Sequence, residues 1–294
     1  MGSEQDAGMV AAGETSGRTE GFAAAMRRMA GNLSAWTRGL VSRQRLRADR
    51  PRSRWMQPLM LVALAIVACS LILTAMLFFD GRAIGWQRTL PTAVVQGFFH
   101  ITDIGKSAVI LVPTGLGVLL VAALASPRFG RFNHMVLVSV ATRLGFLFVA
   151  VGLPGLLVTV VKRILGRQRP NIWVTTDPTG FAPFTFSPEY TSLPSGHGAT
   201  AFATAVALGA LYPRWRIPLL IVACVVGFSR VAVSVHYPSD VLAGACIGTL
   251  GALAVRNWFA TRRLAFVVTG EGGVHPMPGP SLRRLRGALR SLRA

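Results

Sequence analysis

The architecture of this chain follows from one stretch, Ser229-Arg230-Val231-Ala232-Val233-Ser234-Val235-His236-Tyr237-Pro238-Ser239-Asp240. An arginine, a histidine and an aspartate stand inside or just past apolar sequence suited to the middle of a bilayer, where ionisable groups are costly and mark function. His236 and Asp240 are four residues apart, a spacing that stacks side chains on one helix, but Pro238 falls between them. Proline breaks a helix interior yet is favoured at a first helical position, so His236 ends one span and Asp240 lies in the first turn of the next. A carboxylate so placed holds an imidazole in one tautomer, as a nucleophilic or general-base histidine requires. The plain structural alternative is an ion pair between Arg230 and Asp240 within the membrane.

The composition around this stretch is that of a membrane protein. Of 294 residues 52% are hydrophobic and only 14% charged, against about a quarter charged in soluble domains. The net charge of +20 is gathered in both tails and at the ends of apolar runs. That placement fits anionic lipid headgroups as partners and argues against a nucleic-acid-binding surface. Cys69, Cys224 and Cys246 all lie within apolar runs and lack metal-ligand spacing, so they read as small packing residues rather than a disulfide framework or zinc site.

Six runs approach the roughly 20 apolar residues that cross a bilayer: 56–79, 107–126, 136–161, 196–212, 217–235 and 239–256. The expected fold is all-α, a polytopic six-transmembrane-helix bundle with extra interfacial helices. One such helix is expected over 84–101, where Trp86, Phe98 and Phe99 mix with polar residues. The fourth run is short and alanine-rich, which suits close packing among helices. Residues 1–55 form a basic cytosolic tail, largely disordered and with an amphipathic piece over 21–40. Residues 56–258 make the six-span domain, and 259–294 a second basic tail. In that tail Leu282, Leu285, Leu289 and Leu292 recur at helical spacing among arginines, as in a helix lying on anionic lipid. Arg143, near the cytosolic end of the third run, is expected to snorkel or pair structurally.

The positive-inside rule puts both tails, Arg128 with Arg131, and Arg214 with Arg216 on the cytosolic side. The ends at Lys162, Pro194, His236 and Pro238 then share the opposite face, together with a basic cluster that the rule does not explain. An anion site explains it. Lys162 and Arg169 are seven residues apart, on one face if the helix continues to Pro170, and two cations can clamp phosphate oxygens. Pro194-Ser195-Gly196-His197 opens the next run. A helix N-terminus there offers backbone N–H groups and its dipole to an anion, glycine allows close approach, and His197 is placed to protonate a leaving oxygen. Taken singly, a basic helix end and a serine cap are ordinary features.

Together, Lys162 with Arg169-Pro170, Pro194-Ser195-Gly196-His197, and Ser229-Arg230 with His236 and Asp240 resemble the three-part signature of the type 2 phosphatidic acid phosphatase superfamily. The resemblance covers roughly residues 56–258, and every signature position matches. It implies a metal-independent phosphatase acting on lipid phosphates, with no cofactor. It also implies that His236 forms a phosphohistidine, that Asp240 orients it, and that His197 serves as acid and then base. Lys162, Arg169, Ser195, Gly196 and Arg230 would bind the phosphate.

The expected enzyme is integral to a bacterial inner membrane, with its site facing the periplasm and both termini cytosolic. Candidate substrates are undecaprenyl diphosphate, phosphatidylglycerol phosphate, phosphatidate and a lipid A type phosphate. A lipid phosphotransferase would use the same intermediate. A non-enzymatic lipid-binding or transport protein leaves both histidines and the aspartate at these spacings unexplained. The segment 171–193, with Trp173, Phe181, Phe184, Phe186 and Tyr190, is expected either to roof the site or, equally, to anchor the loop at the interface as an aromatic belt.

Overall fold

Apolar length and helix-stopping residues account for the elements in the computed structural model, which describes residues 23–39, 58–125, 130–170, 179–270 and 272–291. Helix α1 spans 23–39. It is followed by α2 (Pro58–Phe78), α3 (Asp80–Gln87), α4 (Thr92–Thr102), α5 (Ser107–Leu124), α6 (Arg131–Leu165), α7 (Gly196–Leu211), α8 (Arg216–Ala232) and α9 (Pro238–Thr261). A hairpin of β1 (Phe266–Val268) and β2 (Val274–Pro276) and then α10 (Leu282–Ser291) complete the described elements. The amphipathic piece expected over 21–40 is α1. The rest of the N-terminal tail, most of its basic collar, and Trp173 lie outside the described residues.

Among the described residues, five helical stretches have the length and hydropathy to cross a bilayer: Pro58–Phe78, Thr92–Leu124, Arg131–Leu165, Pro213–Ala232 and Pro238–Thr261. The remaining expected span is α7, whose 16 residues reach about 24 Å at 1.5 Å per residue, short of a hydrocarbon core of about 30 Å. The mixed segment after α2 is two helices, α3 and α4, rather than one. Helix α2 buries none of its residues. Leu59, Leu61, Ile66 and Leu73 stand exposed along it, an apolar surface of the kind that lipid covers.

The chain forms two compact units. The smaller comprises Met1–Gln44, Gly115–Leu144 and Gly279–Ala294. In it Trp36 of α1 packs on Val121, Ala125, Leu137 and Ala141. Asn32 donates from Nδ2 to the carbonyls of Ala122 and Ala125 at 2.9 and 2.7 Å, satisfying acceptors that a helix end leaves free. Arg143 donates to the Ser139 carbonyl at 3.0 Å and to its hydroxyl, a local structural pairing as expected.

The larger unit, Arg45–Thr114 with Gly145–Pro278, centres on α7 packed between α8 and α9. Ala199, Ala203 and Ala207 of α7 are wholly buried. On α9, a Cβ added to Gly244 would lie 2.3 Å from the Ser195 carbonyl oxygen, and one added to Gly248 2.3 Å from that of Ala199. Only hydrogen fits at this crossing, which is how small residues bring membrane helices together. Gly155 on α6 meets nothing within 4 Å. Gly248→Ala is therefore expected to destabilise by about 1–3 kcal/mol through overpacking. Gly155→Ala should be neutral or stabilising by up to about 1 kcal/mol. Unfolding midpoints in detergent measure the contrast.

Beyond α9 the chain forms the β-hairpin. β2 pairs antiparallel with β1, and Phe266 of β1 is fully buried against Phe146 of α6, ring centroids 4.8 Å apart.

Candidate active site

Helix ends build the site, and all of it lies in the larger unit. Pro238 stands in the first turn of α9, where its missing N–H costs nothing. Asp240, one turn in, accepts the Tyr237 backbone N–H at 2.9 Å. His236 sits in the turn between α8 and α9, buried with Asp240, and its Nδ1 faces Asp240 Oδ2 at 3.6 Å and Ser192 Oγ at 3.5 Å. Ser192 also donates its hydroxyl to Asp240 Oδ2. With Nδ1 turned toward these oxygens, Nε2 is the nitrogen left for chemistry.

The N-terminus of α7 lies beside that of α9, because the Ser195 N–H donates to the Asp240 carbonyl at 2.9 Å. Ser195 caps α7 by accepting the Gly198 N–H at 3.3 Å, and the first N–H groups of a helix have no partner within it. Gly196 leaves room beside that end, where a Cβ would lie 3.7 Å from Lys162 Nζ. His197 follows in the first turn. The turn Asp103–Gly105 packs its backbone on it, since a Cβ on Gly105 would come within 3.2 Å of His197. Arg230, His236 and Lys162 lie within electrostatic reach of His197, and Arg169 and Arg230 within reach of His236. The structure thus brings together all eight residues expected from sequence.

Two expectations change in detail. Helix α6 ends at Leu165, not at Pro170, because Gly166 takes a left-handed conformation with φ of 63°. A Cβ there would lie 1.8 Å from the Ala182 carbonyl oxygen, so glycine is required on both counts. Lys162 and Arg169 therefore do not share a helix face. Arg169 comes back to the site on the irregular segment after α6, its N–H donating to the Glu189 carbonyl at 2.9 Å and its Nη2 to Thr191 Oγ1 at 3.1 Å. Segment 179–192 is hydrogen-bonded to residues 166–169 through Gly180, Ala182, Glu189 and Ser192, and its Phe184 and Phe186 are exposed. Arg163 ties this segment down by donating to the Phe186 carbonyl at 2.6 Å.

The second change concerns pairing. Arg230 does not pair with Asp240; it donates to Thr102 Oγ1 at 2.7 Å. The partner of Asp240 is Arg167, whose Nη1 reaches Oδ1 at 2.7 Å while its Nη2 reaches Asp80 Oδ2 at 2.7 Å. Arg167, Asp80 and Asp240 are all fully buried. The Nε groups of Arg169 and Arg230 are buried without a hydrogen-bond partner among the described residues. Unmet buried donors are costly, and together with Lys162 they make a cluster of cations that favours an anion with several acceptor oxygens.

Burial pushes His236 down to about 4, against the opposing pull of Asp240 and aided by Arg169 and Arg230. The imidazole is thus neutral, its Nε2 lone pair free, at any pH above that value. An unfolded histidine titrates near 6.5, so the unfolded chain takes up this proton first as pH falls. The contribution of His236 to stability is complete above about 6.5 and is lost progressively toward about 4. Unfolding midpoints in detergent should fall over that window, and fall less in His236→Ala.

Residues 143–264 match the PAP2 superfamily. The lipid A 1-phosphatase of Rhizobium etli is 29% identical over 226 residues, 74% of this chain and 93% of that protein. The lipid A 1-phosphatase of Rhizobium johnstonii is 38% identical over 127 residues, 43% of this chain and 52% of that protein, so this match spans about half of the relative. Among solved structures, the transmembrane PAP2 type phosphatidylglycerolphosphate phosphatase of Bacillus subtilis superposes with a TM-score of 0.43 at 23% identity, covering 66% of this chain and 91% of that one. Residues 143–264 thus carry the match to the PAP2 superfamily, the type 2 phosphatidic acid phosphatases, and the chain is similar to membrane lipid phosphatases over most of its length.

Proposed function

We propose that this protein hydrolyses the terminal phosphate of an envelope lipid through a phosphohistidine on His236, at the periplasmic face of a bacterial inner membrane with both termini cytosolic. The observation that carries the reading is the meeting of a buried, carboxylate-oriented histidine with Lys162, Arg169 and Arg230 at the N-terminus of α7. His236 Nε2 attacks phosphorus in line. An N–P bond forms as the P–O bond to the lipid breaks, and His197 gives its proton to the departing oxygen. Water then attacks phosphorus and loses a proton to His197. The N–P bond breaks, inorganic phosphate leaves, and His236 regains its lone pair. Lys162, Arg169, Arg230 and the N–H groups beside Ser195 and Gly196 offset charge developing on the phosphoryl oxygens.

Among the candidate substrates, the two lipid A 1-phosphatases favour the phosphate of a lipid A type glycolipid. The basic tails hold the protein to anionic inner-leaflet headgroups. In support, Arg283, Arg284, Arg286 and Arg290 of α10 are exposed. The test is phosphate release by purified protein in detergent, with chelator present, from lipid A, phosphatidate, phosphatidylglycerol phosphate and undecaprenyl diphosphate. Lipid A should be the fastest. A label that appears in a lipid acceptor instead of free phosphate would replace hydrolysis by transfer.

A further inference from the structure

Asp240 is held on two sides. Ser192 and the Tyr237 N–H address Oδ2, the oxygen that faces His236. Arg167 addresses Oδ1 and simultaneously binds Asp80, the first residue of α3. Asp80 does more than balance charge. It accepts the Ser239 backbone N–H at 3.0 Å and the Ser239 hydroxyl, and Arg167 donates to that same hydroxyl at 2.7 Å. The guanidinium also lies over the Tyr237 ring, its carbon 4.2 Å from the ring centroid. Every residue from Tyr237 to Asp240 except Pro238 is therefore gripped by Arg167, Asp80 or both. Two fully buried carboxylates share one cation, so the charge available to Asp240 depends on Asp80.

We propose that Asp80 and Arg167 are positioning residues for the phosphatase reaction: Asp80 moderates the hold of Arg167 on Asp240 and so sets how strongly Asp240 supports positive charge on His236. This rests on His236 being the nucleophile. Other charged and titratable groups around His236 are Arg230 at the end of α8, His197 on α7, Arg169 in the segment after α6, and Asp240 on α9. Lys162 of α6 acts on Asp240. Of these, Arg169, Arg230, His197 and Lys162 face the anion, whereas Arg167 and Asp80 lie behind Asp240, on the side away from His236 Nδ1.

The sign follows from the charges. Asp80→Asn removes a negative charge without changing shape, so Arg167 acts more fully on Asp240 and the surroundings of His236 become more positive. The imidazole becomes harder to protonate and harder to phosphorylate. The acid limb of the kcat/KM profile should move to lower pH by roughly half a unit or more, and kcat should fall at least about tenfold with KM within about threefold. Asp80→Glu should restore the limb. Arg167→Lys keeps the charge but loses the fork that spans both carboxylates, so kcat should fall with the limb unmoved.

The assay is phosphate release, in detergent, from whichever of the four lipid phosphates the wild-type protein hydrolyses fastest. Asp80→Asn with wild-type kcat and an unmoved limb overturns the proposal. Should Asp80→Asn not yield folded protein, wild-type kcat in Arg167→Lys overturns it instead. His236→Ala separates the two levels. If that variant stays active, the nucleophile is wrong; if it is dead while Asp80→Asn behaves as wild type, only the positioning role fails.

Discussion

His236→Ala is expected to release phosphate at least about a thousandfold more slowly than the wild-type protein, the scale on which removing a covalent catalyst acts. The reason is local. His236 is the residue whose Nδ1 faces a buried carboxylate, and its Nε2 is the nitrogen left to bond phosphorus. His197 lies at the same helix end, but the carboxylate within its electrostatic reach, Asp103, is exposed and paired with Lys106, so no buried carboxylate orients this imidazole. It is therefore suited to proton transfer, and His197→Ala should retain more of the first step than His236→Ala. The check is single-turnover phosphate release together with acid-labile label on the protein. His236→Ala should show neither, and activity within tenfold of wild type would remove His236 from the mechanism.

Arg167→Met should unfold a large fraction of the protein. Methionine keeps much of the side chain's length, but the change leaves Asp80 and Asp240 buried with no guanidinium between them. Breaking a buried ion pair by removing one partner costs about 3–5 kcal/mol, a large part of the 5–15 kcal/mol that stabilises a typical fold. Burial pushes the Arg167 guanidinium down, yet Asp240 and Asp80 together hold it above its ordinary value, so the cation is firmly present in the folded state. The measurements are folded yield after detergent extraction and the unfolding midpoint. A stable Arg167→Met protein would mean that the two carboxylates find compensation elsewhere.

The sequence by itself determined the long apolar helices and which polar residues stand at their ends. Long apolar runs have few alternatives in a bilayer, because backbone groups must be satisfied within the segment. Pro238, Ser195 and the histidines announce helix ends through their own chemistry. What local pattern could not supply was the choice between cations. Arg230 is ten residues from Asp240 in sequence and looked like its partner, while Arg167 is 73 residues away and Asp80 lies 87 residues before Arg167. The signals were faint but present: an aspartate directly after an apolar span, and an arginine beside a glycine. Gly166 misled for a related reason, since periodicity across Lys162 and Arg169 reads as continuous helix unless the left-handed turn is known. Tertiary structure alone decided these points. The pairing of buried charges is set by which helix ends arrive at the same place, and that depends on the close crossing of α7 and α9 at Gly244 and Gly248 rather than on any neighbour in sequence.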